Sequence, residues 1–176
     1  MQDIFQRLQD TDRKCRAKAA ELAVLNRKKG DWVGIGFRIG EIRLLSKMGD
    51  VTEILEMPEF TRVPGAKPWV VGIANVRGSL LPLMDIQGFV TGEALKNRKE
   101  GRVLVANLRG TNTGLVVSEI LGLRHFSLDD QAYELPEIDN AFKPFIKQAF
   151  QREQKYWPVF SLQALIEDER FLHAAL

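Results

Sequence analysis

The amino-acid sequence predicts an all-β fold with flanking helices, arranged as two small related β-barrels packed on each other. Three observations predict it. From Trp32 onward the apolar residues recur with a period of two, in short runs interrupted by turn residues roughly every 8–12 positions. The chain also carries a faint internal repeat. Val51-Thr52-Glu53-Ile54-Leu55 returns as Val117-Ser118-Glu119-Ile120-Leu121, and Leu81-Pro82-Leu83-Met84-Asp85-Ile86 is echoed by Trp157-Pro158-Val159-Phe160-Ser161-Leu162. Finally, 176 residues make one ordinary domain or two very small ones. Barrels of roughly 65–75 residues have little core apiece, so they must pack tightly on each other to be stable.

The elements follow in order. Residues 3–29 read as a helix: Asp3 can cap it, and Ile4, Phe5, Leu8, Cys15, Ala19, Leu22 and Leu25 recur at helical spacing. Its charge is lopsided, with Arg7, Arg13, Lys14, Arg16, Lys18, Arg27, Lys28 and Lys29 against Asp3, Asp10, Asp12 and Glu21. The remainder of the chain is therefore slightly acidic. Trp32 to Ile39 begins the strands, Gly40-Glu41 turns the chain, and Ile42 to Leu45 returns. Val51 to Met57 forms another strand, and Pro58, Pro64, Gly65 and Pro68 mark a loop. Trp69–Val76 and Leu80–Asp85 form a hairpin around Arg77-Gly78. The polar stretch Thr91–Gly101 is the best internal boundary. Strands resume at Arg102–Asn107, Gly114–Val117 and Ile120–Phe126, an acidic loop spans 127–141, and Phe145–Gln151 with Tyr156–Ser161 makes a last hairpin. This divides the chain into a basic helix (1–30), a first barrel (31–95), a connection (96–101), a second barrel (102–165) and a C-terminal helix (166–176).

Composition narrows the function. A chain that is 45% hydrophobic and 27% charged is not wholly disordered, and 25 basic against 23 acidic side chains imply neither nucleic acid nor anionic lipid. The first residues carry no signal-peptide pattern, and the longest apolar run, Trp69–Ala74, is about a third of the ~20 residues a membrane span needs. The expected location is the cytoplasm, with no direct membrane insertion. One cysteine, Cys15, excludes an internal disulfide, while His125 and His173 lack ligand-type neighbours. No catalytic residue, metal site or cofactor is expected, so the chain is not read as an enzyme.

Two motifs invite chemistry and resolve into structure. Gly34-Ile35-Gly36-Phe37-Arg38-Ile39-Gly40 has glycines spaced nearly like a phosphate-binding loop, but lies on a strand rather than opening a helix. The basic cluster Lys96–Arg102 raises the alternative of an RNA-binding SH3-like protein, yet no row of exposed aromatic residues accompanies it. The segment from Val51 to Asp85 differs. Gly72 and Gly78 permit close approach and a tight turn, and Arg77 at that turn calls for a fixed carboxylate, for which Glu53 on the neighbouring strand is the candidate.

This segment resembles the CheW family, the adaptors of bacterial chemosensory arrays. The resemblance rests on Val51-Thr52-Glu53, Pro64-Gly65, and Gly72-Ile73-Ala74-Asn75-Val76-Arg77-Gly78 followed by an apolar strand with Pro82 and a closing Asp85. It continues through Gly114–Ile120 and covers roughly residues 31–165. The basic helix, the Trp32–Arg38 opening and the Lys143-Pro144-Phe145-Ile146 tail resemble the PilI-type branch, which serves twitching motility through type IV pili. The resemblance implies two SH3-like five-stranded barrels and a role bridging the cytoplasmic tip of a methyl-accepting chemoreceptor to the regulatory domain of a CheA-type histidine kinase. It implies a receptor-binding groove at Val51, Glu53, Gly72 and Arg77, walled by Val117. Ser118 and Ser161 stand where the family usually has aspartate.

Overall fold

The computed structural model describes residues 31–108, 110–135 and 137–173. The helix expected at 3–29, with Cys15, lies outside the described residues. Eleven strands follow in order: β1 (Trp32–Ile39), β2 (Ile42–Lys47), β3 (Glu53–Glu56), β4 (Phe60–Thr61), β5 (Val70–Val76), β6 (Ser79–Asp85), β7 (Arg102–Leu108), β8 (Thr111–Val117), β9 (Glu119–Phe126), β10 (Ile146–Arg152) and β11 (Lys155–Phe160). Short helices α1 (Ile86–Thr91), α2 (Leu162–Glu167) and α3 (Glu169–Leu172) complete them. Strand limits match the periodicity closely, because alternating burial fixes which face of each strand turns inward.

The strands form two curled sheets, ordered β10-β11-β2-β1-β9 and β3-β7-β8-β6-β5-β4. The all-β architecture therefore agrees with the sequence, but the sheets do not divide at residues 96–101. Strand β2 pairs in parallel with β11 (Leu45 opposite Val159), and β8 pairs in parallel with β6 (Gly114 opposite Leu83). Each sheet thus takes the opening hairpin of one half of the chain, β1–β2 or β7–β8, and the later strands of the other. The exchange is reciprocal: β3 lies against β7, and β9 against β1. A contiguous split at 95 was the natural reading of a tandem repeat. It fails because the repeated elements buried their edges on each other's hairpins.

The repeat itself is real in three dimensions. Strand β6 runs into α1, whose N-cap Asp85 accepts from the Gly88 amide, and β11 runs into α2, whose N-cap Ser161 accepts from the Ala164 amide. Helix α1 went unread in the sequence because a single hydrophobic turn with Gly88 inside it shows no helical period. At the C-terminus the expected continuous helix over 166–176 is instead α2 and α3, broken at Asp168, whose carboxylate caps α3 by accepting from the Arg170 amide; residues 174–176 lie outside the described residues.

One core cluster joins both sheets, uniting Phe37 and Leu44 with Leu104 and Leu115, and with Phe89 of α1 and Leu165 of α2. Ring contacts run through it from Trp69 to Phe89, Phe145, Phe160 and Phe37. A smaller cluster of Val71, Leu81, Leu83, Val103 and Val116 fills the six-stranded sheet. The five-stranded sheet thus shares its core with side chains of β7 and β8 from the other sheet.

Candidate partner-binding site

The β5–β6 hairpin is closed by two residues, Arg77 and Gly78, both with positive φ (52° and 84°). Such primed turns suit the right-handed twist of paired strands, and glycine or asparagine enters them without strain. Asn75 braces this turn, its Oδ1 accepting from the Gly78 amide at 2.9 Å. Arginine at a left-handed position is disfavoured, so its presence points to a use for the side chain. The guanidinium reaches Glu53 on β3, Nη2 to Oε1 2.7 Å. In the sheet order two strands, β7 and β8, stand between β3 and β6, so this ion pair closes the curl across the barrel mouth.

Arg77 is exposed, with 77% of its side chain accessible, while Glu53 is half-buried at 33%. Around it the same hairpin presents apolar surface. Leu80 is 72% exposed, directly opposite Asn75, and Ile73, opposite Pro82, is exposed as well. A charged tip beside uncovered apolar side chains has the character of a contact surface.

The other sequence-derived residues divide by role. Gly72 is buried against β4, where a Cβ would collide with the Thr61 carbonyl oxygen, so it serves strand packing. Val117 is 1% exposed and belongs to the shared core, at the end of β8 remote from its turn. Val51 is half-buried against that same core. Pro64 and Gly65 form an exposed turn. Asp85 is fully buried, and its carboxylate accepts from the Gly88 and Leu95 amides and from Arg98 Nε and Nη2, at 2.8–3.0 Å. It therefore ties β6 to α1 and to the 96–101 connection.

That last contact removes a key member of the basic cluster behind the RNA alternative. Arg98 is committed to Asp85, and Arg102 donates to the Glu100 and Gly101 carbonyls. Where the family pattern has aspartate, Ser118 Oγ accepts from the Gly40 amide, pinning the β1–β2 turn to the end of β8. Sequence reading missed a second brace of the Asn75 type: Ala106-Asn107-Leu108-Arg109-Gly110 repeats Ala74-Asn75-Val76-Arg77-Gly78, and Asn107 Oδ1 accepts from the Gly110 amide. Direct comparison of the two pentapeptides would have found it. Among the described residues no cluster of three metal-ligating side chains occurs, and no helix is long and apolar enough to cross a membrane.

A family model described as "CheW-like domain" matches residues 33–170. The chain belongs to the CheW-like family. It is 44% identical over 176 residues to Protein PilI of Pseudomonas aeruginosa, covering all of this chain and 98% of that one. Chemotaxis protein CheW of Thermotoga maritima is 22% identical over 108 residues, 61% of this chain and 70% of the relative. The crystal structure of the scaffolding protein TtCheW from Thermoanaerobacter tengcongensis superposes with a TM-score of 0.65 at 18% identity, covering 80% of this chain and 94% of that one. The CheW-like fold thus accounts for the two packed β units, and the end-to-end similarity to PilI extends over the N-terminal segment as well.

Proposed function

We propose that this CheW-like chain is a non-enzymatic adaptor that couples a methyl-accepting chemoreceptor to a CheA-type histidine kinase, in the chemosensory array that controls type IV pilus twitching motility. It acts in the cytoplasm and is recruited to membrane-associated receptors through its partners. The full-length similarity to PilI supports the branch. The observation that carries the mechanism is the strained, exposed Arg77 held by Glu53 at the barrel mouth.

An adaptor needs affinity without reaction. Apolar anchors supply the affinity, and Leu80 and Ile73 beside the turn are free to be covered. The ion pair sets the direction of approach, since an oriented guanidinium rewards a partner carboxylate or carbonyl in one geometry and penalises a cation. A receptor's helical hairpin laid along this surface would use a helix-in-groove mode. Pull-down of the purified receptor cytoplasmic hairpin tests the reading: Arg77→Glu abolishes receptor capture and leaves capture of the kinase regulatory domain intact. Unchanged receptor capture by a folded Arg77→Glu protein would refute it.

A further inference from the structure

The five-stranded sheet carries a second uncovered surface. An open groove of about 540 Å³ runs between β9 and the β10–β11 hairpin. Arg38, Arg43, Arg124, Arg152 and Lys155 line it, against Glu153 as the single acidic lining residue. Arg38 lies 3.5 Å from Glu119, but among the described residues Arg43, Arg124 and Lys155 make no ion pair. Arg152 Nη1 donates to the His125 carbonyl and so fixes the hairpin to β9. At the rim, Glu153 and Gln154 both hold positive φ (51° and 61°), the second strained turn among the described residues.

Immediately after β9 the surface reverses sign. Residues 127–135 contain Asp129, Asp130 and Glu134 and no basic residue, and they expose Leu128, Tyr133 and Leu135. With Leu123 in the groove, four of the ten exposed large apolar side chains among the described residues fall within residues 123–135, a density that marks an interface. Asp130 is spent on the Ser127 amide, which leaves Asp129 and Glu134 to face outward.

We infer that this face joins two copies of the chain about a twofold axis, the acidic, apolar 128–135 segment of each seated in the cationic groove of the other. The two patches adjoin at Phe126–Ser127, and side-by-side patches of opposite charge become self-complementary under a twofold rotation. Uncovered leucines and a tyrosine beside the carboxylates match the groove's Leu123 better than a bare polyanion would. Nucleic acid is disfavoured because Arg124 already covers the Trp157 ring at 5.1 Å, leaving no stacking platform there. This contact is separate from the Arg77 surface, and it would let one adaptor link two receptor–kinase units.

Analytical ultracentrifugation of the full chain in 50 mM and 500 mM salt tests it. Expected is a dimer at low salt that weakens at least tenfold at high salt, is lost in Arg124→Glu/Arg152→Glu, and is restored when that variant is mixed with Asp129→Arg/Glu134→Arg. Circular dichroism checks that each variant is folded. A wild-type monomer at 200 μM in low salt, a dimer indifferent to these substitutions, or a groove that instead binds single-stranded RNA or a poly-glutamate peptide as a monomer would each overturn the inference.

Discussion

At the scale of single residues, two charged side chains that look alike in the sequence do opposite work. Arg77 is exposed and its pair with Glu53 sits in water, where such pairs contribute about 0–1 kcal/mol. Asp85 is wholly buried among four donors, and removing one side of such a network costs about 3–5 kcal/mol. Arg77→Gly should therefore hold stability level or raise it by up to about 1 kcal/mol, by relieving the left-handed strain, while receptor binding falls. Asp85→Ala should lower stability by several kcal/mol in urea unfolding, because Arg98 and two amides lose their acceptor. A steep loss of stability in Arg77→Gly, or a mild effect in Asp85→Ala, would show the roles assigned to them to be reversed. The pairing of Arg77 with Glu53 was legible in the sequence, since a turn arginine needs an acceptor and β3 carries one. Its exposure was not: sequence spacing places residues along a strand, whereas solvent access depends on how the sheet curls.

At the scale of elements, the caps explain where the short helices start. Asp85, Ser161 and Asp168 each begin a helix with a side chain accepting a backbone amide. Asp168 does so while hydrogen-bonded to the Arg170 side chain, which holds its carboxyl below the usual carboxylate range and raises Arg170 in turn. A carboxylate whose pKa is lowered by folding stabilises the native state above its unfolded pKa, and that contribution disappears as pH falls through the folded value. Thermal unfolding of wild type and Asp168→Asn should differ at neutral pH and converge in acid below the ordinary carboxylate range. A difference that grew on acidification would contradict this sign. An element as short as α1 was invisible to periodicity, since six residues never complete two helical turns. The long hairpins were read almost to the residue, because alternation over seven or eight positions leaves one register possible.

At the scale of the molecule, the reciprocal exchange of hairpins makes two small barrels into one folding unit. A fragment of residues 31–95 would keep β1–β2 but lose β9–β11 beside it, and would strip β7–β8 from its own later strands. Such a fragment should be unfolded alone and gain structure only when mixed with 96–176. An independently folded 31–95, seen by amide dispersion in an NMR spectrum, would contradict the interleaved topology. The repeat in the sequence announced two related units, and the pairing of β6–α1 with β11–α2 shows it was sound. What it could not convey was which hairpin each unit keeps, because tandem and exchanged arrangements bury the same strands with the same alternation.

The exchange also suits the proposed adaptor role. The proposed Arg77 surface is a hairpin tip on a frame whose two sheets share a core, so a partner held there would act on that frame as a whole. The decisive measurement is calorimetric titration of the full chain with the receptor's cytoplasmic hairpin and, separately, with the kinase regulatory domain, for wild type and Arg77→Gly. A receptor-coupling role for the Arg77 turn predicts that receptor affinity falls by at least about tenfold, roughly 1.4 kcal/mol, with kinase affinity and melting temperature unchanged. Equal receptor affinity in the two proteins would contradict it.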